Sequence, residues 1–269
     1  MSRPRAWPAL VPAIVLTASA ALVALGSSRS PSRLVPDLAW HPPSSDLPFG
    51  AGEAGVDLLA LVAHATTRAL LLAACVAGFG FLLGTTLGSA AGLARGRFER
   101  VTRHACDLVQ AFPSFLLALA VLAAVRVPSR WHVGAVLALA AWAPFARLAL
   151  GQARVLSEAA FVDAARALGA TRARVLLRHV LPNLLGPVAV QLGTSAAGVV
   201  LGDAALGFVG LGPRDGVSLG ALLDQGTVAM VRAPHVLAVG ALAVALVSGS
   251  LQLATEGLRR LVPASRENV

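Results

Sequence analysis

Six stretches of this chain carry no charged residue and are almost wholly apolar: 7–26, 69–94, 108–125, 133–146, 184–202 and 236–255. A helix rises 1.5 Å per residue, so about 20 apolar residues cross a hydrocarbon layer about 30 Å thick. Five of the runs reach or approach that length. The fourth does so only if Trp131 and residues 147–150 join it at the interfaces. Charged residues make up 13% of the 269 and apolar ones 57%, against roughly 25% charged in a soluble domain. Such a chain cannot cover a water-facing surface, and the reading is an all-α, polytopic membrane protein with six transmembrane helices. The first run is preceded by Arg3 and Arg5 and contains Ala18-Ser19-Ala20, a cleavage-like triplet of a signal peptide. Its apolar stretch continues to Leu25, which favours an uncleaved anchor.

The loops fix an orientation. All 22 basic residues are arginine. With the N-terminus inside, fifteen of them fall in inside segments and seven in outside ones. Positive residues accumulate on the cytoplasmic side, so both termini are expected there. The expected organisation is 1–26 cytoplasmic start and first span, 27–62 extracytoplasmic segment, 63–257 core with a cytoplasmic loop at 151–183, and 258–269 cytoplasmic tail. The segment from 27 to 58, rich in Pro and Ser, reads as loop with a short helix near its end. The arginines are scattered between hydrophobic spans rather than clustered with aromatics, which argues against nucleic acid.

In the second span Gly80, Gly84, Gly88 and Gly92 recur every four residues. Small residues at that spacing form a groove that lets a neighbouring backbone approach. Gly198 and Gly202 repeat the theme in the fifth span. Helix packing is the first reading; sliding of these helices during a transport cycle is the second. Gln191, Thr194 and Ser195 form the polar cluster of the fifth span, either lining a path or bonding between helices.

The loop between the fourth and fifth spans carries the strongest local signals. Ser157 is placed to cap a helix, with Glu158 at its positive end. Alanines favour that helix, and Gly169 can take the left-handed conformation that ends it. Thr171 would cap a second helix, which Pro182 would close, leaving Asn183 to cap the fifth span. Phe161, Val162, Ala165 and Leu168 fall on one apolar stripe of the first helix. That stripe lies either in the lipid interface or against a cytoplasmic partner.

The run Asp163-Ala164-Ala165, then Gly169, then Leu181-Pro182 resembles the "EAA" loop of bacterial ABC import permeases, with Asp in place of Glu. Further segments resemble the second permease subunit of dipeptide, oligopeptide and nickel importers. These are Pro48 to Asp57, similar to "P-x-G-T-D-x-x-G-R-D"; Ala111-Phe112-Pro113-Ser114; Trp142 to Arg147; and Asp203 to Gly212, similar to "E-A-x-L-S-F-L-G-L-G". The likeness runs from about Pro48 to Leu258. It departs at Ala51, Val56, Asp203 and Gly207, and at Leu219-Gly220, where Trp-Gly is typical.

The resemblance implies the type I importer permease fold and a coupling helix seated in a cleft of an ATPase. Its interface would comprise Glu158, Phe161, Val162, Asp163, Ala164, Ala165, Gly169, Leu181 and Pro182. The implied partners are a paralogous permease, two ATP-binding subunits and an extracytoplasmic binding protein. The implied cargo is a di- or oligopeptide, with nickel, another small solute or an antimicrobial peptide as alternatives.

Other classes fit less well. A secondary transporter needs ionisable groups within its spans, and these spans have none. The six histidines (His41, His64, His104, His132, His179 and His235) lie far apart in sequence, with no metal-ligand spacing. Ser195 fails the Gly-x-Ser-x-Gly elbow of a hydrolase. No catalytic or metal-binding residue is therefore expected. There is no Gly-x-x-x-x-Gly-Lys-Ser/Thr run, so ATP and magnesium are expected on partner subunits and no cofactor on this chain.

Overall fold

The computed structural model describes residues 30–31, 33–213 and 217–261. The first expected span, 7–26, and the end of the tail, 262–269, lie outside them. Among the described residues eight helices form and no strand does. They are α1 Leu58–Ala94, α2 Gly96–Ala111, α3 Ser114–Ala123, α4 Arg130–Leu156, α5 Ala160–Ala167, α6 Arg172–Phe208, α7 Leu219–Val228 and α8 Pro234–Leu261.

Four helices, α1, α4, α6 and α8, are long and apolar enough to cross a membrane. The expected third span, 108–125, is not one straight helix. Residues 108–111 finish α2, the chain breaks at Phe112-Pro113, and α3 leaves at 71°. Proline lacks an N–H and disfavours helical geometry in the residue before it. Phe112 accordingly takes an extended conformation (φ −96°, ψ 133°). Counting this bent pair as one crossing gives five among the described residues.

Helix α1 begins eleven residues before its expected apolar run, because Asp57 accepts a hydrogen bond from the Leu59 N–H at 2.9 Å and caps it. Its 37 residues span about 55 Å at 1.5 Å per residue, longer than a hydrocarbon layer. The first turns bury Leu58, Val62 and Ala65 against α7 and α8, in the larger core cluster. The preceding segment is irregular, with 3-10 turns at Pro36–Leu38 and Glu53–Gly55. It is pinned to α7 and to the turn that follows it: Gln225 Nε2 donates to Glu53 Oε2 at 3.2 Å, and the Arg232 guanidinium lies 4.2 Å from the Trp40 ring centroid.

The glycines of α1 meet α4. A Cβ at Gly80 would sit 2.7 Å from the Ala141 carbonyl oxygen, and one at Gly92 would sit 2.6 Å from that of Leu150. At Gly84 and Gly88 it would overlap the carbonyls of Trp142 and Ala146. The groove is therefore filled by backbone along its whole length. The second glycine pair behaves otherwise. Gly198 has open space where its Cβ would be, and Gly202 touches only Leu137 at ordinary contact distance. The tight crossing of α6 is at Gly193, whose Cβ would collide with Thr255 Oγ1 of α8.

Candidate functional site

Two places have the geometry of a working site. One is the hairpin formed by α5 and the start of α6. Ala159 (φ −75°, ψ 141°) occupies the N-cap of α5 without a side-chain cap. Ser157, expected there, instead belongs to the last turn of α4. Its N–H donates to the Ala153 carbonyl and its Oγ to the Arg154 carbonyl, at 2.9 and 2.7 Å. Gly169 does take the left-handed conformation, φ 83°, and Thr171 Oγ1 accepts from the Arg174 N–H at 3.3 Å.

Pro182 does not end the second helix. Leu176–Val180 widens to a π turn, in which the Leu181 N–H donates to the Leu176 carbonyl. The helix then runs on to Phe208. Such a turn re-spaces the backbone bonds ahead of a residue that lacks its own N–H. Asn183 lies inside this helix and its Nδ2 donates to the His179 carbonyl at 2.6 Å, so it is no cap.

The expected apolar stripe divides into two faces. Val162 is 0% exposed and packs with Phe145, Val175, Val180 and Leu184 in the chain's own core, leaving it no surface for a partner. Ala165 and Leu181 are half-buried, and Pro182 is exposed. Phe161 and Leu168, 46% and 89% exposed, stand on the opposite side with exposed Ala164 between them. Asp163 is exposed and ion-paired with Arg166 at 3.0 Å, and Glu158 is paired with Arg95 at 2.9 Å.

The second place is a cavity of about 470 Å³ at the bend between α2 and α3. Gln191, Thr194 and Ser195 of α6 line it together with Gln110 and Ser114 from either side of the Phe112-Pro113 break. Ala140 and Pro144 of α4 complete it. Pro144 has no N–H, so the Ala140 carbonyl lacks its helical donor. Every polar side chain of the lining is an amide or a hydroxyl; none is ionisable. Gly198 opens onto this cavity too, which accounts for the empty space at its Cβ.

Residues 84–264 match the family described as binding-protein-dependent transport system inner membrane component. The chain belongs to this family. The matched stretch takes in the hairpin and all of the cavity lining. Over 218 residues the permease is 32% identical to the glutathione transport system permease protein GsiD of Pectobacterium atrosepticum, covering 81% of this chain and 72% of that one. It is 34% identical to the GsiD of Escherichia coli O1:K1 / APEC, covering 78% and 70%. A putative peptide transport system permease protein of Brucella suis biovar 1 is 31% identical over 254 residues, covering 93% and 84%. This permease is thus a multi-pass inner-membrane component of a binding-protein-dependent transporter.

One of the departures noted in the permease sequence, Gly207, meets in space the glycine that follows another, Leu219. Gly207 and Gly220 lie backbone to backbone, with a Gly207 Cβ 2.9 Å from the Gly220 Cα. A side chain as small as serine would crowd that contact. Gln110 and Ser114 were not expected in the cavity. A signal existed, since Pro113 and Pro144 both interrupt apolar runs, but only the fold shows that the two breaks face each other.

Proposed function

We propose that this chain is one permease half of an ATP-driven importer for di- or oligopeptides, with a paralogous permease completing the path. Two ATP-binding subunits, which hold ATP and magnesium, would grip the α5 hairpin on the cytoplasmic side. A binding protein would deliver cargo from the other side, and the chain would carry out no hydrolysis itself. Both termini would be cytoplasmic, as the arginine distribution favours.

The observation that carries the reading is the exposed face of α5. Phe161, Ala164 and Leu168 form an exposed apolar strip, touched at one end by the His179 ring 6.3 Å from that of Phe161, on a helix anchored from behind by Val162. Burying such a strip releases roughly 25 cal/mol per Å² of apolar area, and the small alanine lets a partner approach closely. Glu158, Asp163 and Gly169 would shape the same interface. Leu181 and Pro182 would set the angle at which the hairpin leaves α6. A partner that binds the hairpin unequally in its two states shifts the permease between its own two states; equal binding would shift nothing.

A peptide reading of the cargo draws support from the cavity. Amides and hydroxyls at Gln110, Ser114, Gln191, Thr194 and Ser195 match the donors and acceptors of a peptide backbone. They offer a nickel ion no imidazole, thiolate or carboxylate, the softer or charged ligands such an ion prefers.

The test is Leu168→Glu in the complete transporter. The site is solvent-exposed, so membrane insertion should be unchanged. Recovery of the ATP-binding subunits on purification, and stimulation of ATP hydrolysis by loaded binding protein, should both fall. Wild-type values for both would overturn the assignment.

A further inference from the structure

Arg95 joins the α1–α2 elbow to the hairpin and does so from a strained backbone. Its φ of 58° and ψ of −175° fall in a region that only glycine occupies at ease. Gly96 follows at φ 71°, so the elbow turns through two successive left-handed residues. The Arg95 side chain reaches across to the far end of α4. Its Nη2 donates to Ser157 Oγ at 3.1 Å and to Glu158 Oε1 at 2.9 Å.

Ser157 is 1% exposed and is where three elements converge. Its hydroxyl accepts from Arg95 and donates to the Arg154 carbonyl, and its own carbonyl accepts from Arg166 of α5 at 3.1 Å. Arg166 also holds Asp163. The connection from α5 through Ser157 to the elbow is thus continuous. Beside it lies a cavity of about 660 Å³, bounded by Leu93, Arg95, Asp163 and Arg166 among others, which gives the hairpin room to move. Beyond the elbow, α2 is tied to α4 by Glu99–Arg154 and Asp107–Arg147 ion pairs. Its last turn places Gln110 on the wall of the polar cavity.

We infer that Arg95 is a positioning residue of the transport reaction, the latch through which hairpin movement is passed along α2 to the polar cavity. The inference rests on the docking of the hairpin proposed above. While Glu158 and Ser157 hold the guanidinium, the elbow is kept in its strained form. When the hairpin is drawn away the bond set opens, the backbone relaxes, and α2 turns with it. A two-state element of this kind is what a coupling between distant sites requires.

The experiment uses the complete transporter with spin labels at Gln110→Cys and Thr194→Cys, in a Cys75→Ala background that leaves the buried Cys106 unlabelled. The distance distribution between the labels is read with and without magnesium-ATP. In the otherwise native chain ATP should populate a second distance. Arg95→Gly removes the latch while suiting the elbow backbone. The ATP-driven population should then fall about fivefold or more, in the range of couplings between distant sites, with subunit association unchanged. Arg95→Lys should retain most of the response. The exchange Arg95→Glu with Glu158→Arg should recover part of what Arg95→Glu alone loses.

A native ATP response in Arg95→Gly would overturn the inference. So would a loss matched by loss of assembled complex, because that is a merely structural role. The docking reading fails separately: Leu168→Glu would then leave the ATP response and subunit recovery intact. If Leu168→Glu abolishes both and Arg95→Gly neither, only the role of Arg95 falls.

Discussion

Gly88 lies against Ala146 with no room for a methyl group between them: a Cβ on the glycine would overlap the alanine's carbonyl oxygen. The contact is one of four along the α1–α4 seam. Gly88→Leu should therefore keep the two helices apart, at about 3 kcal/mol or more, seen as loss of recoverable protein and a lowered unfolding temperature in detergent. Gly198→Ala faces open space and should stay within about 0.5 kcal/mol of the parent.

Gly169 isolates a different effect. Nothing lies within 4 Å of where its Cβ would be, yet its φ is 83°. Gly169→Ala should cost about 1–2 kcal/mol through backbone strain alone, and Gly169→Asn less. Thermal unfolding of the two variants side by side checks the order.

Glu99 is a third case, in which charge matters more than shape. Its Oε1 accepts from Arg103 at 2.6 Å and from Arg154 at 2.9 Å, and the side chain is largely buried. Both arginines are about half exposed, which limits the gain from each. Glu99→Gln should destabilise by about 1 kcal/mol at low salt. The difference should shrink as ionic strength rises, because salt screens exposed charge. Arg103→Ala should cost less than Glu99→Gln, since Arg154 still neutralises the carboxylate.

Ser195 tests the polar cavity. Ser195→Trp should fill it, so uptake of a labelled tripeptide should cease while the ATP-binding subunits remain attached. Unchanged uptake would mean that cargo passes elsewhere.

Orientation is checked at Leu168, which is 89% exposed. In the Cys75→Ala background, with the permease expressed without its ATP-binding subunits, Leu168→Cys should react with a membrane-impermeant thiol reagent in inverted vesicles and stay protected in intact cells. The reverse pattern would remove the cytoplasmic assignment of the hairpin.

What the sequence made legible was local. The glycine comb of α1 could be read because a spacing of four residues defines one helix face wherever the helix sits. The left-handed turn at Gly169 and the cap at Thr171 were equally readable, being decided within a few residues. The bend at Phe112-Pro113 was hidden by apolar residues on both sides, since hydropathy records composition and not direction. Ser157 misled because its hydroxyl had two helices within reach, and the last turn of α4 took it. Val162 and Phe161 are neighbours in one apolar stripe, but a helix of eight residues packed on one side only must send them to opposite environments. Gln110 and Ser114 join Gln191 in space across some eighty residues of chain, a relationship no local pattern contains.

The carbonyl-lined seam between α1 and α4 also limits how this molecule can deform. Each glycine seats one peptide group of the opposing helix like a tooth in a rack, so sliding by one residue would drive a methyl or larger group into backbone. The two helices must travel as one beam. Any widening of the polar cavity falls to its other walls, the broken α2–α3 pair and α6, which touch that beam through side chains free to re-pack.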